Sequence, residues 1–515
     1  MKVKLVLALS FLIMIFFLTK KFIEHDEKSS LESLSSIGCC EPNINNYLNS
    51  DNLSAFVIKR RVKEFVQSLL FPKKYFIKKH PTEYSFLLSK NDKRIFDSLR
   101  TVGLNDRILN DKTKKYRDVD LIHNDSLFKV KVKYRGSDAT PLLWNSPSLK
   151  VKSKYPVNGN KIFNIVSGLE MDYKNIFFNY IGTNFSLYTE DIGEIISVYF
   201  NGQTYDGFKY SSFDQEYVLK NYSDTLYNQF KNYKSVTDHS SEFDNIYYNN
   251  EKEVILSKRS KLGIKKYKDF KEKSLILNKE EMTYFSKYLS LIYLFGNSHQ
   301  ISGDNLTLLD INNNLYPLFR NEGDLNYLNV SKENLDNVIF SYQEKAPSYD
   351  FFKSLIIQDS FRELRNLQFK SMLRLKNEIV NSFDSIYESN KNKHLIYNKR
   401  FFRQQLNQKI LKKNLINNFQ KIEDYLKFDR VFYHHEDDTL RITSSSYTQL
   451  DLIINCCNFY RIKQRQFKIS SDKKIESNFK EAKIYFNKKI DSLTIINPFT
   501  EEQRVLKNIY NNEVN

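Results

Sequence analysis

The stretch "FKVKVKYRGSDATPLLWNSPSLKVKSK" (Phe128–Lys154) alternates apolar and cationic residues twice, with Arg-Gly between the two runs. Successive side chains of a strand point to opposite faces, so a period of two reads as two β-strands. In the first, Phe128, Val130, Val132 and Tyr134 share one face, and Lys129, Lys131, Lys133 and Arg135 share the other. In the second, Leu149 and Val151 oppose Lys150, Lys152 and Lys154. The apolar face belongs in a core. Two readings stand for the cationic face: an ordinary solvated sheet surface, or a surface whose lysines hold phosphate as point charges.

Working outward, "IGEIISVYFNG" (Ile192–Gly202) adds a third strand, and "YKNIFFNYIGTNF" (Tyr173–Phe185) reads as a helix before it. Asn201-Gly202 and Asp206-Gly207 are turn signals flanking a short segment, as in a hairpin. The region is therefore expected to be a mostly antiparallel sheet with at least one helix. "EEMTYFSKYLSLIYLFGN" (Glu280–Asn297) is an amphipathic helix stopped at Gly296, and "DNLTLLDINNNLYPLFRNEGD" reads as strand, Asn-rich turn, strand. Long helical stretches fill 350–428, and β-like patterns return from about 429.

The chain has 515 residues, too many for one core. Aromatics at 15% and hydrophobics at 41% supply substantial cores. The net charge of +18 raises nucleic acid as a partner, but Lys and Asn are spread along the whole chain and no dense basic tail or RNA-binding motif occurs. No nucleic-acid partner is expected. Anionic surfaces of lipid or acidic polysaccharide fit the charge better.

At the N-terminus, Lys2 and Lys4 precede the apolar run 5–19, which is followed by Lys20 and Lys21. This pattern reads as a signal sequence, and the absence of a small-x-small site after it favours an uncleaved signal-anchor over a cleaved signal. The expected organisation is an anchor or transmembrane segment at 1–21 and a polar tether at 22–50. A main domain follows at 51–345, which includes an amphipathic helix over Ala55–Phe71. A helical region at 346–428 and a β-rich domain at 429–515 complete the chain. The expected location is the cell membrane, with an extracytoplasmic domain on a single N-terminal anchor. The cysteines form two vicinal pairs, Cys39–Cys40 and Cys456–Cys457, which fit either mutual bridging or burial as small apolar groups. "HHEDD" (His434–Asp438) holds metal-ligand types but reads as an exposed charged turn. Trp144 and Tyr134 read as core aromatics.

Several pieces in order carry a resemblance. "KYRGSDA", "SPSLKVKSK", "SVYFNGQTYDGFKY", "FGNSHQISGDNLTLL" and "LYPLFRNEGDL" resemble successive motifs of the CotH kinase family of atypical protein kinases, over roughly Phe128–Tyr327. The resemblance implies an α+β fold: an atypical kinase-like mixed sheet with helices, followed by a helical segment and a small C-terminal β-rich domain. It implies ATP and Mg2+ or Mn2+ as cofactors. Lys152, Arg135 and Lys150 would hold phosphates, Asp304 would be catalytic, and Asn305, Glu322 and Asp324 would bind metal. The acceptor would be a cell-envelope protein or polysaccharide. The chain departs from the pattern at three places: His299 and Gln300 stand where the family carries an acid, Asn321 stands four residues after Pro317 where the family has Asp, and Ser211 follows the hairpin where Glu is common. Two functions follow as expectations: an exported kinase, or a catalytically inactive kinase-like scaffold in envelope or polysaccharide assembly.

Overall fold

The computed structural model describes residues 83–106, 113–136, 147–168, 171–211, 234–237, 276–301, 306–311, 314–320, 347–394 and 401–427. From there it describes 431–436, 438–444, 448–455, 458–462, 466–469, 475–478, 480–486 and 492–507, together with isolated residues such as Leu109, Leu325 and Leu335. The anchor, the tether, the Ala55–Phe71 helix, Trp144 and all four cysteines lie outside the described residues. Among the described residues no helix is long and apolar enough to cross a membrane.

The chain forms two compact units. The first contains β1 (Glu83–Leu87), α1 (Lys90–Asp106), β2 (Arg117–His123), β3 (Ser126–Tyr134), β4 (Leu149–Val157), β5 (Asn160–Ser167), α2 (Tyr173–Asn184), β6 (Glu194–Phe200) and β7 (Gln203–Ser211). Its seven strands close into a barrel in the order β1-β2-β3-β4-β5-β7-β6. Closure comes from a parallel pairing of β1 with β6, Tyr84 opposite Val198; every other neighbour is antiparallel. This overturns the expected kinase-like mixed sheet. A closed barrel leaves no edge strand, whereas an open sheet would expose its first and last strands.

Sequence patterning explains the inner face and the hairpins of the barrel. The alternate residues Val130, Val132 and Tyr134 are buried inside with Leu149, Val151 and Phe163. Three hairpins close through two-residue turns with both residues at positive φ: Asn124–Asp125, Asn158–Gly159 and Asn201–Gly202. That geometry matches the right-handed twist of the strands it joins. At one barrel end, α1 is seated by Phe96, whose ring packs edge-on against Tyr134 at 5.4 Å and Phe200 at 5.0 Å. The Tyr134 hydroxyl donates to the Phe96 carbonyl at 3.1 Å. Ser89 starts α1 by accepting the Asp92 N–H at 3.1 Å.

Asp206-Gly207 is not a turn. It lies inside β7, opposite Ser197 and Ile196. A Cβ on Gly207 would meet the methyls of Val198 at 2.8 Å and Ile165 at 2.9 Å, so the missing side chain makes room for barrel packing.

In the same unit, Asp172 and Asn175 form a reciprocal cap at the start of α2. The α2 ring of Phe177 meets Phe383, on α6 (Lys376–His394), at 5.1 Å. Phe319 bridges to Thr189 and fills the space beside Gly182.

The second unit contains β8 (Lys234–Thr237), α3 (Lys279–Phe295), β9 (Thr307–Ile311), β10 (Asn314–Pro317), α4 (Pro347–Ile357) and α5 (Asp359–Arg374). Buried Glu281 accepts the Asn278 N–H at 2.9 Å and the Leu315 N–H at 2.8 Å, tying the start of α3 to the β9–β10 hairpin. The last part of α7 (Phe401–Leu426) also belongs to this unit. Strands follow. β11 (Val431–Glu436), β12 (Thr439–Ser444) and β17 (Lys480–Tyr485) form one sheet. β14 (Asn458–Ile462), β13 (Leu450–Ile454), β18 (Ser492–Ile496) and β19 (Gln503–Lys507) form another. The two share an apolar core that includes Leu440, Ile442, Leu452 and Ile495. β15 (Gln466–Ile469) pairs with β16 (Ile475–Asn478). Within "HHEDD", His434 and His435 lie in β11, and Asp438 sits in the turn at φ 59°.

Candidate anion-binding face and the buried lysine of the barrel

Pairing register builds a cationic field on the outer face of the barrel. Lys131 stands directly opposite Lys152 across β3 and β4, and Lys133 directly opposite Lys150. On the β2 side, Asp118 faces Lys131 and Asp120 faces Lys129. The Lys129–Asp120 pair is close at 2.6 Å, and Lys131 is 4.0 Å from Asp118. Directly opposed residues have Cβ atoms about 5 Å apart, and residues two along a strand are about 7 Å apart. Lys131, Lys133, Lys150 and Lys152 therefore mark the corners of a patch a few ångströms on each side.

Two tyrosines frame this patch. The Tyr116 ring lies under Lys133 at 4.7 Å and Lys152 at 5.0 Å, and burial raises its phenol pKa above the ordinary value. Tyr210 receives a hydrogen bond from the Arg135 guanidinium at 2.6 Å, with the same group 5.6 Å from its ring. Ring faces attract cations and hold flexible lysine stems in place. The structure thus brings Lys150, Lys152 and Arg135 onto one face and adds Lys131, Lys133, Tyr116 and Tyr210. Tyr116 has no periodic signal, since it precedes β2 in irregular backbone. The role of Tyr210 depends on β5–β7 pairing, which places it opposite Asn164.

Asp304, Asn305, Glu322 and Asp324 lie outside the described residues. Among the described residues no group of three or more His, Cys, Asp or Glu side chains is placed to hold a metal ion.

A second cluster lies at the barrel end opposite α1. Lys209 points inward from β7 and is 3% exposed. Its ammonium meets Glu194 at 3.0 Å, its direct cross-strand partner. It also sits 5.7 Å from the Tyr84 ring and 5.5 Å from Phe163. His123 stacks on Tyr84 at 4.1 Å, with Nδ1 3.2 Å from the Glu83 carbonyl. Burial, and then the Glu194 charge, push the Tyr84 phenol pKa well up. The Glu194 side chain is 37% exposed and reaches water at the rim. The cluster is a half-wet ion pair that lets a lysine occupy the barrel interior.

No protein-family model matches the chain. Over 259 residues, half of this chain, it is 23% identical to Protein Ycf2 of Physcomitrium patens. The matched stretch spans 11% of that protein's length. Similarity at this level assigns no family.

Proposed function

We propose that the chain binds a phosphate-bearing anion on the lysine face of β3 and β4. The observation that carries this reading is the directly opposed pairs Lys131/Lys152 and Lys133/Lys150. Like charges opposite one another destabilise a sheet, and a multivalent anion between them reverses the sign of that term. Each ammonium offers three donors on a flexible stem, which suits phosphate oxygens without demanding one geometry. Tyr116 restrains two of the four stems. The test is titration calorimetry of the full chain with inorganic triphosphate at several salt concentrations, beside a Lys131→Ala/Lys152→Ala double variant. Binding that weakens with salt and drops in the double variant supports the reading. Equal binding by both proteins, or none by either, overturns it.

A narrower form of the reading is phosphate transfer from ATP to a cell-envelope acceptor by a membrane-tethered protein. The order of the RG, SLKVK, NG, DN and EGD motifs favours it. Asn305, Glu322 and Asp324 would hold the divalent ion that accompanies ATP, whose charge would offset that of the phosphates. Transfer of labelled γ-phosphate by the full chain, lost in Asp304→Ala with triphosphate binding intact, would support this form. Absence of transfer with binding retained would leave a catalytically inactive anion-binding scaffold.

A further inference from the structure

We infer that the phosphate-bearing partner of the lysine face is the surface of an anionic lipid bilayer, with two hairpin tips of the barrel entering its headgroup layer. This rests on the anion-binding reading above and names the source of the phosphate.

The two tips are the β2–β3 turn at Asn124–Asp125 and the β4–β5 turn at Asn158–Gly159. Both hairpins continue past Val130–Ser153, the last paired residues of β3 and β4 toward that end. The extensions carry apolar side chains exposed to solvent. Ile122 and Leu127 are directly opposed on the outer face, 37% and 60% exposed. Tyr155 is 67% exposed, with the Lys154 ammonium 5.4 Å from its ring. Behind the tips, on the same face, come Lys129, Lys131 and Lys152.

Along this face the order of chemistry is an apolar tip, Ile122 and Leu127, and then the lysine rows, with exposed Tyr155 near the neighbouring tip. That order matches the depth profile of a bilayer, where apolar side chains meet the acyl boundary, tyrosine sits at the interface and lysines reach phosphate. A dissolved anion would engage the lysines alone and leave Leu127, Ile122 and Tyr155 in water. Exposed apolar side chains grouped beside cations mark an interaction surface rather than scattered surface residues. Asp118, Asp120, Asp125 at one turn and Glu194, 3.5 Å from Asn158 at the other, neutralise part of the field. The lysines still outnumber the acids on these strands. The charge complementarity is therefore with an anionic lipid surface.

The test uses the full chain on vesicles, neutral phosphatidylcholine against phosphatidylserine-rich. The apolar run 5–19 can bind either kind, so the readout is local: tryptophan emission of Leu127→Trp, with the Trp144 background subtracted from the unsubstituted chain. The expected result is a blue shift and protection from an aqueous quencher on phosphatidylserine-rich vesicles only, reversed by salt. Each lysine near an anionic surface contributes about fivefold in binding, so Lys131→Ala/Lys152→Ala should weaken recruitment by about thirtyfold. Leu127→Ser/Tyr155→Ser should also weaken recruitment while leaving triphosphate binding unchanged. If the emission of the Leu127→Trp probe stays that of water on anionic vesicles while triphosphate still binds, the membrane inference is overturned and the anion reading stands. If neither triphosphate nor anionic vesicles engage the face, both fall.

Discussion

Lys131 and Lys152 stand directly opposite each other across the β3–β4 pair, with the Tyr116 ring 5.0 Å from the Lys152 ammonium. Two opposed ammonium groups on a solvated face raise the energy of the folded state. Lys152→Glu would replace that repulsion with attraction and should stabilise the barrel by about 0.2–1 kcal/mol. The same change should abolish most triphosphate binding. A variant that is more stable yet binds less would show that the pairing serves a ligand rather than the fold. Amide hydrogen exchange across β3 and β4 reads the stability, and calorimetry reads the binding.

Lys209 and Glu194 predict an asymmetry. Glu194→Ala would leave an ammonium enclosed by Tyr84 and Phe163, whereas Lys209→Met would leave a carboxylate that already reaches water. The expected losses are about 1–3 kcal/mol for Glu194→Ala and under about 1 kcal/mol for Lys209→Met, which keeps the stem volume. Exchange protection of β6 and β7 amides in the two variants checks the order. Equal losses would mean that stranding the Glu194 carboxylate costs as much as stranding the ammonium, and that its exposure to water does not offset the lost ion pair.

How much of this was legible in the sequence differs from element to element. The alternation in Phe128–Tyr134 and Leu149–Val151 forms β3 and β4, because a period of two constrains both face and strand type. Gly296 ends α3 in the left-handed conformation, as a glycine after an amphipathic run does. Barrel closure was not legible. It depends on β1, a five-residue strand, pairing with β6 more than a hundred residues later, and nothing local in "EYSFL" encodes that partner. Asp206-Gly207 misled because turn chemistry and close packing use the same residue, and here the methyls of Val198 and Ile165 claim the space. Asn201-Gly202 reads as a turn and closes the β6–β7 hairpin, whereas Asn124-Asp125 and Asn158-Gly159, which close two further hairpins, went unread. The lysines of the candidate face followed from periodicity. Their tyrosine partners, Tyr116 and Tyr210, did not, because those contacts arise from backbone outside the alternating stretch.

Alkaline pH should loosen the barrel from about pH 10 upward, while the buried phenols of the folded state still hold their protons. Tyr134 and Tyr205 are buried and donate to the carbonyls of Phe96 at 3.1 Å and Pro147 at 3.0 Å. Burial pushes both phenols well above the ordinary value. In the unfolded chain these groups ionise near pH 10. The folded state keeps its protons longer, so the stability these groups contribute is fully present below about pH 10 and falls as pH rises above it. The slope is about 1.4 kcal/mol per pH unit for each such tyrosine. Tyr134→Phe should cost about 1 kcal/mol at neutral pH and make the alkaline decline shallower. Exchange protection in β3 between neutral pH and about pH 11 tests it, and an unchanged slope would rule Tyr134 out as a source of the decline.

Arg365 is fully buried on α5, with its guanidinium 5.4, 5.0 and 5.3 Å from the rings of Tyr293, Phe369 and Tyr425. It donates to the Tyr425 hydroxyl at 2.8 Å and to the Asn366 side-chain oxygen at 3.0 Å. A planar, weakly hydrated cation suits this aromatic cage; a compact ammonium does not. Arg365→Lys would keep a buried charge and lose both the stacking surface and the fork of donors. Arg365→Met would remove the charge together with its desolvation cost and keep much of the volume. Lysine should therefore destabilise the second unit by about 2–4 kcal/mol and methionine by less, although lysine is the conventional conservative replacement. Exchange protection of α3 and α5 amides in the two variants decides it. A methionine variant that loses more than the lysine variant would show that the charge itself, rather than the shape of the guanidinium, holds the cage together.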